Sequence, residues 1–476
     1  LAVGAPDDGV GGTITIYRKQ NGFWNPGGQT ISPWGGSGAP RFGAALALDG
    51  NTLAIGAPGS FGTGAVYILE WDGNNWVEGQ IITASNSQAD AEFGHAVTLQ
   101  GDTLVVGAPG HTIDAQPDSG QVYTFRRTGG SFLETDILPF LGGTNYSARL
   151  GAALAMHEST LVVGAPGEIT FGLPGQALVY RESGGSWSLH QQLTNNISVD
   201  FDLYGRAVAI DGDRIVIGGQ YNTFGIDSGT AHVYRYNNGA DSWDPEQRLT
   251  ATDTVGFEDF GWTIDIQEET IAVGAPYART AEAQAAQAGS AYIFQLENGT
   301  WIQQQKRSYT DPTSPAEIEF GTALALDRDA LAIGAPMAPQ LSGETPLAEV
   351  GLVLITRVDP ASDIKLTPPS GAGGKFGAAI DQSGDTILIG APTEDQAGCT
   401  SCGAVYFYRR NGTSWTLEQH ITGLAAGVTH GGPITNAKPG FGAAVAIQGD
   451  TAVVGADEDD TPGGSIDTGT VYVFTR

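Results

Sequence analysis

Apolar residues in this chain come in short alternating runs rather than at helical spacing. Nine times a hydrophobic triplet leads into Gly-Ala-Pro or a near variant, at 1–6, 53–58, 104–109, 161–166, 215–220, 271–276, 331–336, 387–392 and 452–457. The copies begin 51 to 65 residues apart, a period that signals radial or solenoid repeats. Within the copy at 42–80, Phe42-Gly-Ala-Ala-Leu-Ala-Leu48 alternates small and large residues, as a strand buried on both sides would. Asp49-Gly-Asn51 is a hairpin signal. Leu53-Ala-Ile55 is a second strand, stopped at Pro58, which cannot donate to a ladder. Ala65-Val-Tyr-Ile68 is a third, and Asp72-Gly-Asn-Asn75 turns the chain into a fourth around Trp76. Helical periodicity is absent apart from Ala281–Ala288, long enough for two turns at most. The pattern predicts an all-β protein built from four-stranded repeats.

The first strand says how the repeats pack. Three residues after its aromatic stands Ala45, Ala96, Ala153, Ala207, Thr263, Ala323, Ala379 or Ala444. The next residue is always large: Leu46, Val97, Leu154, Val208, Ile264, Leu324, Ile380 or Val445. Side chains alternate faces along a strand, so each sheet has a small face and a large face that can mate with its neighbours. That arrangement suits a β-propeller of four-stranded antiparallel blades. Strand by strand the copies sum to 34, two more than eight blades need, so eight blades are expected, with seven or nine as the other counts. The expectation is one domain over 1–476, with 1–35 and 441–476 forming the closure seam. Closure by mixed termini would leave 1–3 and 14–17 as a spare hairpin.

Composition narrows the function. Twenty-two basic against 52 acidic residues give a net charge of −30. Such a surface repels nucleic acid, which needs a basic patch. No run of about 18 apolar residues is present to span a membrane as a helix. The chain opens inside a strand pattern without Met, as a processed or trimmed end would. The two cysteines form Cys399-Thr-Ser-Cys402 in a Gly-rich loop. One CxxC is two ligands short of a structural zinc site, so a local disulfide is favoured over free thiols or metal chemistry, and it would suit an extracytoplasmic protein.

Phe-Gly at the start of strand one, Gly-Ala-Pro at the end of strand two and Gly-x-Val-Tyr in strand three together resemble the FG-GAP repeat, which builds the propeller head of integrin α subunits and many bacterial surface proteins. The Phe-Gly element stands at Phe42, Phe93, Phe260, Phe320, Phe376 and Phe441, with Leu150-Gly and Tyr204-Gly as variants. The resemblance implies an extracellular or cell-surface propeller acting in adhesion. One departure is clear. Calcium-binding members carry DxDxDG loops between strands one and two, whereas here those connections are hairpin-length, too short for the six or more oxygens calcium takes.

Both motif elements lie at one end of a blade, and the loops leaving that end are long and dissimilar, as at 110–120, 277–289 and 337–351. Variable loops on a rigid scaffold are where binding concentrates, so this face is expected to meet a protein or glycan partner. The residue after Phe-Gly is Ala or Thr in five copies but His95, Arg206 and Trp262 in the others. These three either fill space at the mouth or form a ligand-contacting cluster. Asp457, Asp459 and Asp460, in the run 457–460, offer oxygen donors for a divalent cation such as calcium, although four adjacent acids more often make a solvated loop. Seven scattered histidines and the lack of a nucleophile-elbow motif argue against an enzyme. Three functions follow in order: a non-catalytic adhesion or assembly propeller, a filament or coat subunit joined through its terminal strands, and a glycan-binding or glycan-active protein.

Overall fold

Each repeat closes into one antiparallel sheet because its first two strands are joined by turns only two residues long. In the computed structural model Asp49 pairs with Thr52, His157 with Thr160, Asp211 with Arg214 and Gln267 with Thr270 across these turns. The structure describes residues 42–139, 147–167, 175–194, 203–219, 229–253, 259–280, 283–309, 318–328, 330–342, 345–347, 350–357, 363–369, 374–396, 401, 403–423, 440–448 and 451–456, with 34 and the strand segments 2–5, 13–20, 23–24, 29–31 and 470–475. Two compact units are present, 1–101 with 332–476 and 102–331.

Seven sheets run in simple order from strand one to strand four: blades 1 (45–82), 2 (96–137), 3 (153–194), 4 (208–249), 5 (264–308), 6 (324–366) and 7 (379–422). Among the described residues the count is therefore seven four-stranded blades, not eight. Instead of an eighth, both ends of the chain enter one seven-stranded sheet, in the order Phe23–Trp24, Thr13–Gln20, Ala2–Ala5, Thr470–Thr475, Thr451–Ala456, Phe441–Gln448, with Gln29–Ile31 also on Thr13–Gln20. Ala2 pairs with Ile16 on one side and with Val473 on the other. The strands that looked spare thus pair inside the chain. An open strand edge leaves a row of unpaired N–H and C=O groups, and adding the extra strands to an existing ladder satisfies them.

The Ala-rich stretch is also corrected. Ala283–Gln287 is a strand paired with Arg279–Thr280, not helical turns, since a segment that short cannot repay helix nucleation. Burial differs from expectation too. Strand two is the fully buried one, every residue of Thr52–Ala57 and Thr160–Ala165 being enclosed, whereas strand one, Ala45–Asp49, is half-buried throughout.

The recurring glycines are a joint between blades. A Cβ added to Gly164 of the Gly-Ala-Pro in blade 3 would lie 1.9 Å from the Gly205 carbonyl oxygen, in the Tyr-Gly that opens blade 4. Gly56 meets Gly94 at 2.0 Å, Gly218 meets Gly261 at 2.2 Å and Gly334 meets Gly377 at 2.0 Å in the same way. Gly205 itself sits at φ +95°, a backbone conformation that a residue with a Cβ rarely adopts. One strand further out, the glycine opening strand three bridges the residue that opens the next Phe-Gly or its variant, as Gly120 to Leu150, Gly229 to Phe260 and Gly403 to Phe441. Gly-Ala-Pro of one blade and Phe-Gly of the next are two halves of one contact.

A second joint lies at the outer strand. In unit 102–331 the Gln191 side-chain amide donates to the Trp243 carbonyl at 2.9 Å and accepts from the Trp243 N–H at 2.7 Å. Gln247 does the same to Trp301 at 2.7 and 2.8 Å. Asp136 accepts from the Trp187 N–H at 3.0 Å. Each clamp residue stands beside a register shift between strands three and four that recurs in six blades. The bulge swings the outer strand so that its amide can reach the neighbouring backbone.

One position breaks the packing rule. Six residues after the aromatic, seven copies carry Leu48, Leu99, Met156, Ile210, Ile266, Leu326 or Ile447, and blade 7 carries Gln382. Gln382 is 8% exposed, and neither amide atom meets a partner among the described residues. An unsatisfied buried polar group costs roughly 1–3 kcal/mol. Gln382→Leu is expected to raise stability by about that amount, read as a higher urea midpoint with an unchanged slope. A lower midpoint would mean that a buried water satisfies the amide.

Candidate functional site

The residue after Phe-Gly is placed by the same tight turn from blade 2 onward. Its N–H bonds the carbonyl three residues back: His95 to Glu92 at 3.0 Å, Ala152 to Arg149 at 3.1 Å, Arg206 to Leu203 at 3.1 Å, Trp262 to Asp259 at 3.1 Å and Thr322 to Glu319 at 3.2 Å. Side chains there leave a fixed backbone, so what differs between blades is chemistry alone.

In unit 102–331 two of the three sequence candidates meet. The Arg206 guanidinium lies over the Trp262 ring, 4.1 Å from its centre. Tyr277, the residue after Gly-Ala-Pro in blade 5, joins them, its ring 5.7 Å from that of Trp262 and nearly perpendicular to it at 85°. Arg206 is exposed, while Trp262 and Tyr277 are half-buried. The corresponding position after Gly-Ala-Pro is Gly59, Gly110 and Gly167 in blades 1 to 3. Sequence reasoning missed Tyr277, although a tyrosine replacing those glycines was a visible signal. His95 belongs to the other unit, where its Nδ1 stands 3.4 Å from Glu92 of its own turn. Asp457, Asp459 and Asp460, and Cys399 and Cys402, lie outside the described residues, and with them the calcium and disulfide expectations.

A second polar cluster looks catalytic at first sight. Glu394 is 2% exposed, accepts from the Tyr406 hydroxyl and pairs with His420 Nε2 at 3.0 Å, while the His420 ring stacks on Tyr406 with centres 4.2 Å apart. The same place, two residues past Gly-Ala-Pro, holds His111 against the Tyr123 hydroxyl at 3.3 Å, and burial lowers the His111 pKa. In blade 1 the same place holds Ser60, fully buried. A buried polar residue recurs there in three blades and bonds the strand-three tyrosine in two of them, which makes this a structural device. The outer-strand tryptophans are likewise core, Trp76 and Trp243 being 1% and 2% exposed.

The repeat's own boundaries now make sense. The family model described as the FG-GAP repeat matches residues 76–125, 187–234, 243–294, 362–408 and 435–474. It is an FG-GAP repeat β-propeller. Four of the FG-GAP matches start within two residues of the beginning of the fourth strand of one blade and end in the third strand of the next. The FG-GAP unit therefore spans the joint between blades rather than a single sheet. No curated protein sequence matches the chain. Among solved structures, Saccharomyces cerevisiae Sqt1 is similar over 92% of this chain and 96% of its own, with a TM-score of 0.55 and 11% identity. A Pseudomonas aeruginosa periplasmic gluconolactonase, PpgL, covers 78% of this chain and 96% of its own at a TM-score of 0.44 and 13% identity. Sqt1 shares the fold alone, and the gluconolactonase likeness is too slight to bear on activity.

Proposed function

We propose that this FG-GAP propeller is a non-catalytic, extracellular or surface-displayed recognition module that binds a protein or glycan partner at the loop end of its blades, centred on blades 4 and 5. The observation that carries this reading is the Arg206–Trp262–Tyr277 contact. It gathers the three residue types enriched in binding hot spots at positions that are Ala, Thr or Gly in most other blades. The bulged outer strands support recognition over polymerisation through blade edges, because a bulge spoils the flat edge that strand addition needs. Purified protein is expected as dispersed particles in electron micrographs, and regular filaments would favour the coat-subunit alternative. The direct test is a labelled full chain on arrays of extracellular proteins and glycans. Binding that Trp262→Ala abolishes supports the reading. Binding indifferent to both Trp262→Ala and Arg206→Ala, or silence on both arrays, overturns it.

A further inference from the structure

Building on the reading of the loop end as a recognition face, but not on Arg206 or Trp262, we infer a second contact there. Phe61 is an anchor for an apolar pocket, rimmed by Lys or Arg, on a partner protein. It stands three residues after the Gly-Ala-Pro of blade 1, where blades 2, 3, 5, 6 and 7 carry Thr112, Ile169, Arg279, Pro339 and Asp395. Phe61 is 43% exposed. Among the described residues, every other exposed large apolar side chain is aliphatic and lies on a fourth strand.

The backbone at this tip does not suit an aromatic residue. Phe61 has φ 54° and ψ 12°, Gly62 has φ 70°, and the Thr63 N–H bonds the Ser60 carbonyl at 3.1 Å. This is the pattern of a type I′ turn, whose central positions favour Asn, Asp and Gly; a bulky residue there is strained. The turn is held on both sides. Ser60 is fully buried and its carbonyl also accepts from the Gly64 N–H at 2.7 Å, while the Gly62 carbonyl accepts the Asp90 N–H, from the loop before blade 2, at 2.9 Å. Strain that the surroundings maintain points to a contact role, and a tip already fixed leaves little to order on binding.

Charge selects the kind of partner. Asp90, joined to the tip through Gly62, is exposed, and the chain carries a net charge of −30, so a basic rim is complementary. An aromatic anchor in a pocket is the usual centre of a protein interface. A bilayer would have to bury the ring with an acid alongside, and anionic lipids repel the chain.

The test pans a phage-displayed library of ankyrin-repeat domains, whose concave face can form a pocket, on the full-length chain. Affinities of the dominant enriched family are then measured by surface plasmon resonance. Its randomised face is expected to hold apolar residues beside Lys or Arg. Binding should fall at least tenfold in Phe61→Asn and several-fold in Asp90→Asn, which keeps a residue tolerant of that turn but removes the charge. Urea unfolding checks the strain independently: Phe61→Asn should have a higher midpoint than wild type. An equal or lower midpoint would show that the ring serves its own fold and would overturn the inference. A dominant family indifferent to Phe61→Asn would also overturn it, and if that family is lost in Trp262→Ala the reading centred on blades 4 and 5 still stands. Sedimentation with phosphatidylcholine vesicles, or a signal on the glycan array, that Phe61→Asn abolishes would overturn the protein source.

Discussion

Gly164→Ala is expected to destabilise the protein by about 3 kcal/mol or more, beyond the usual range for one added methyl group. The new Cβ would stand 1.9 Å from the Gly205 carbonyl oxygen, 3.1 Å from its carbon and 3.2 Å from the Ala153 Cβ. The first of these atoms is backbone, so no side chain can swing aside. Relief requires moving the start of blade 4, where the Gly205 N–H is bonded to the Gly218 carbonyl at 2.9 Å. Gly184→Ala in the same blade is the matched control. Gly184 sits at φ +64°, and a Cβ added there would meet nothing within 4 Å, so alanine brings backbone strain of about 1 kcal/mol and no collision. Denaturant unfolding of the two variants separates lost space from lost conformational freedom. Equal midpoints would show that the joint yields, and that the paired glycines are only turn residues.

That joint was half legible in the sequence. The repeat, its strands and the alternation of Ala45 with Leu46 followed from periodicity, because period-two burial depends on local order. The reason for the glycines did not, because Gly164 and Gly205 are 41 positions apart and nothing local links them. The outer clamp was written just as openly: Phe132 and Asp136, Trp187 and Gln191, and Trp243 and Gln247 share a four-residue spacing. It went unread because the amide's partner is in the next blade. The blade count failed for the same cause. Counting strands is local, whereas the pairing of Ala2 with Val473 is a contact between the two ends of the chain. At the candidate site the sequence named Arg206 and Trp262 as unusual but could not tell that they touch, nor that His95 would settle on Glu92 instead.

A last consequence of blade-to-blade contact is a dependence of stability on pH centred on Asp265. Its carboxylate accepts the Leu326 N–H of the next blade at 2.8 Å. Burial is the main cause that raises its pKa to about 6, with Asp211 and Asp327 adding like charge against the hydrogen bonds from Leu326 and Ile266. The folded value thus lies above the unfolded one, near 3.9, and the protonated form is the better fit to the fold. The associated stability is complete below about pH 4 and is lost as pH rises through about 6. At 1.36 kcal/mol per unit the full swing is about 3 kcal/mol. Lowering the pH also relieves repulsion within a chain of net charge −30, so the wild-type profile alone cannot assign the effect to one residue. Asp265→Asn can, since the amide keeps an acceptor for Leu326 and never ionises. The variant should be more stable than wild type by about 2–3 kcal/mol at pH 7.5, and the gap should close by pH 4. A gain of equal size at both pH values would show that Asp265 is not the titrating group.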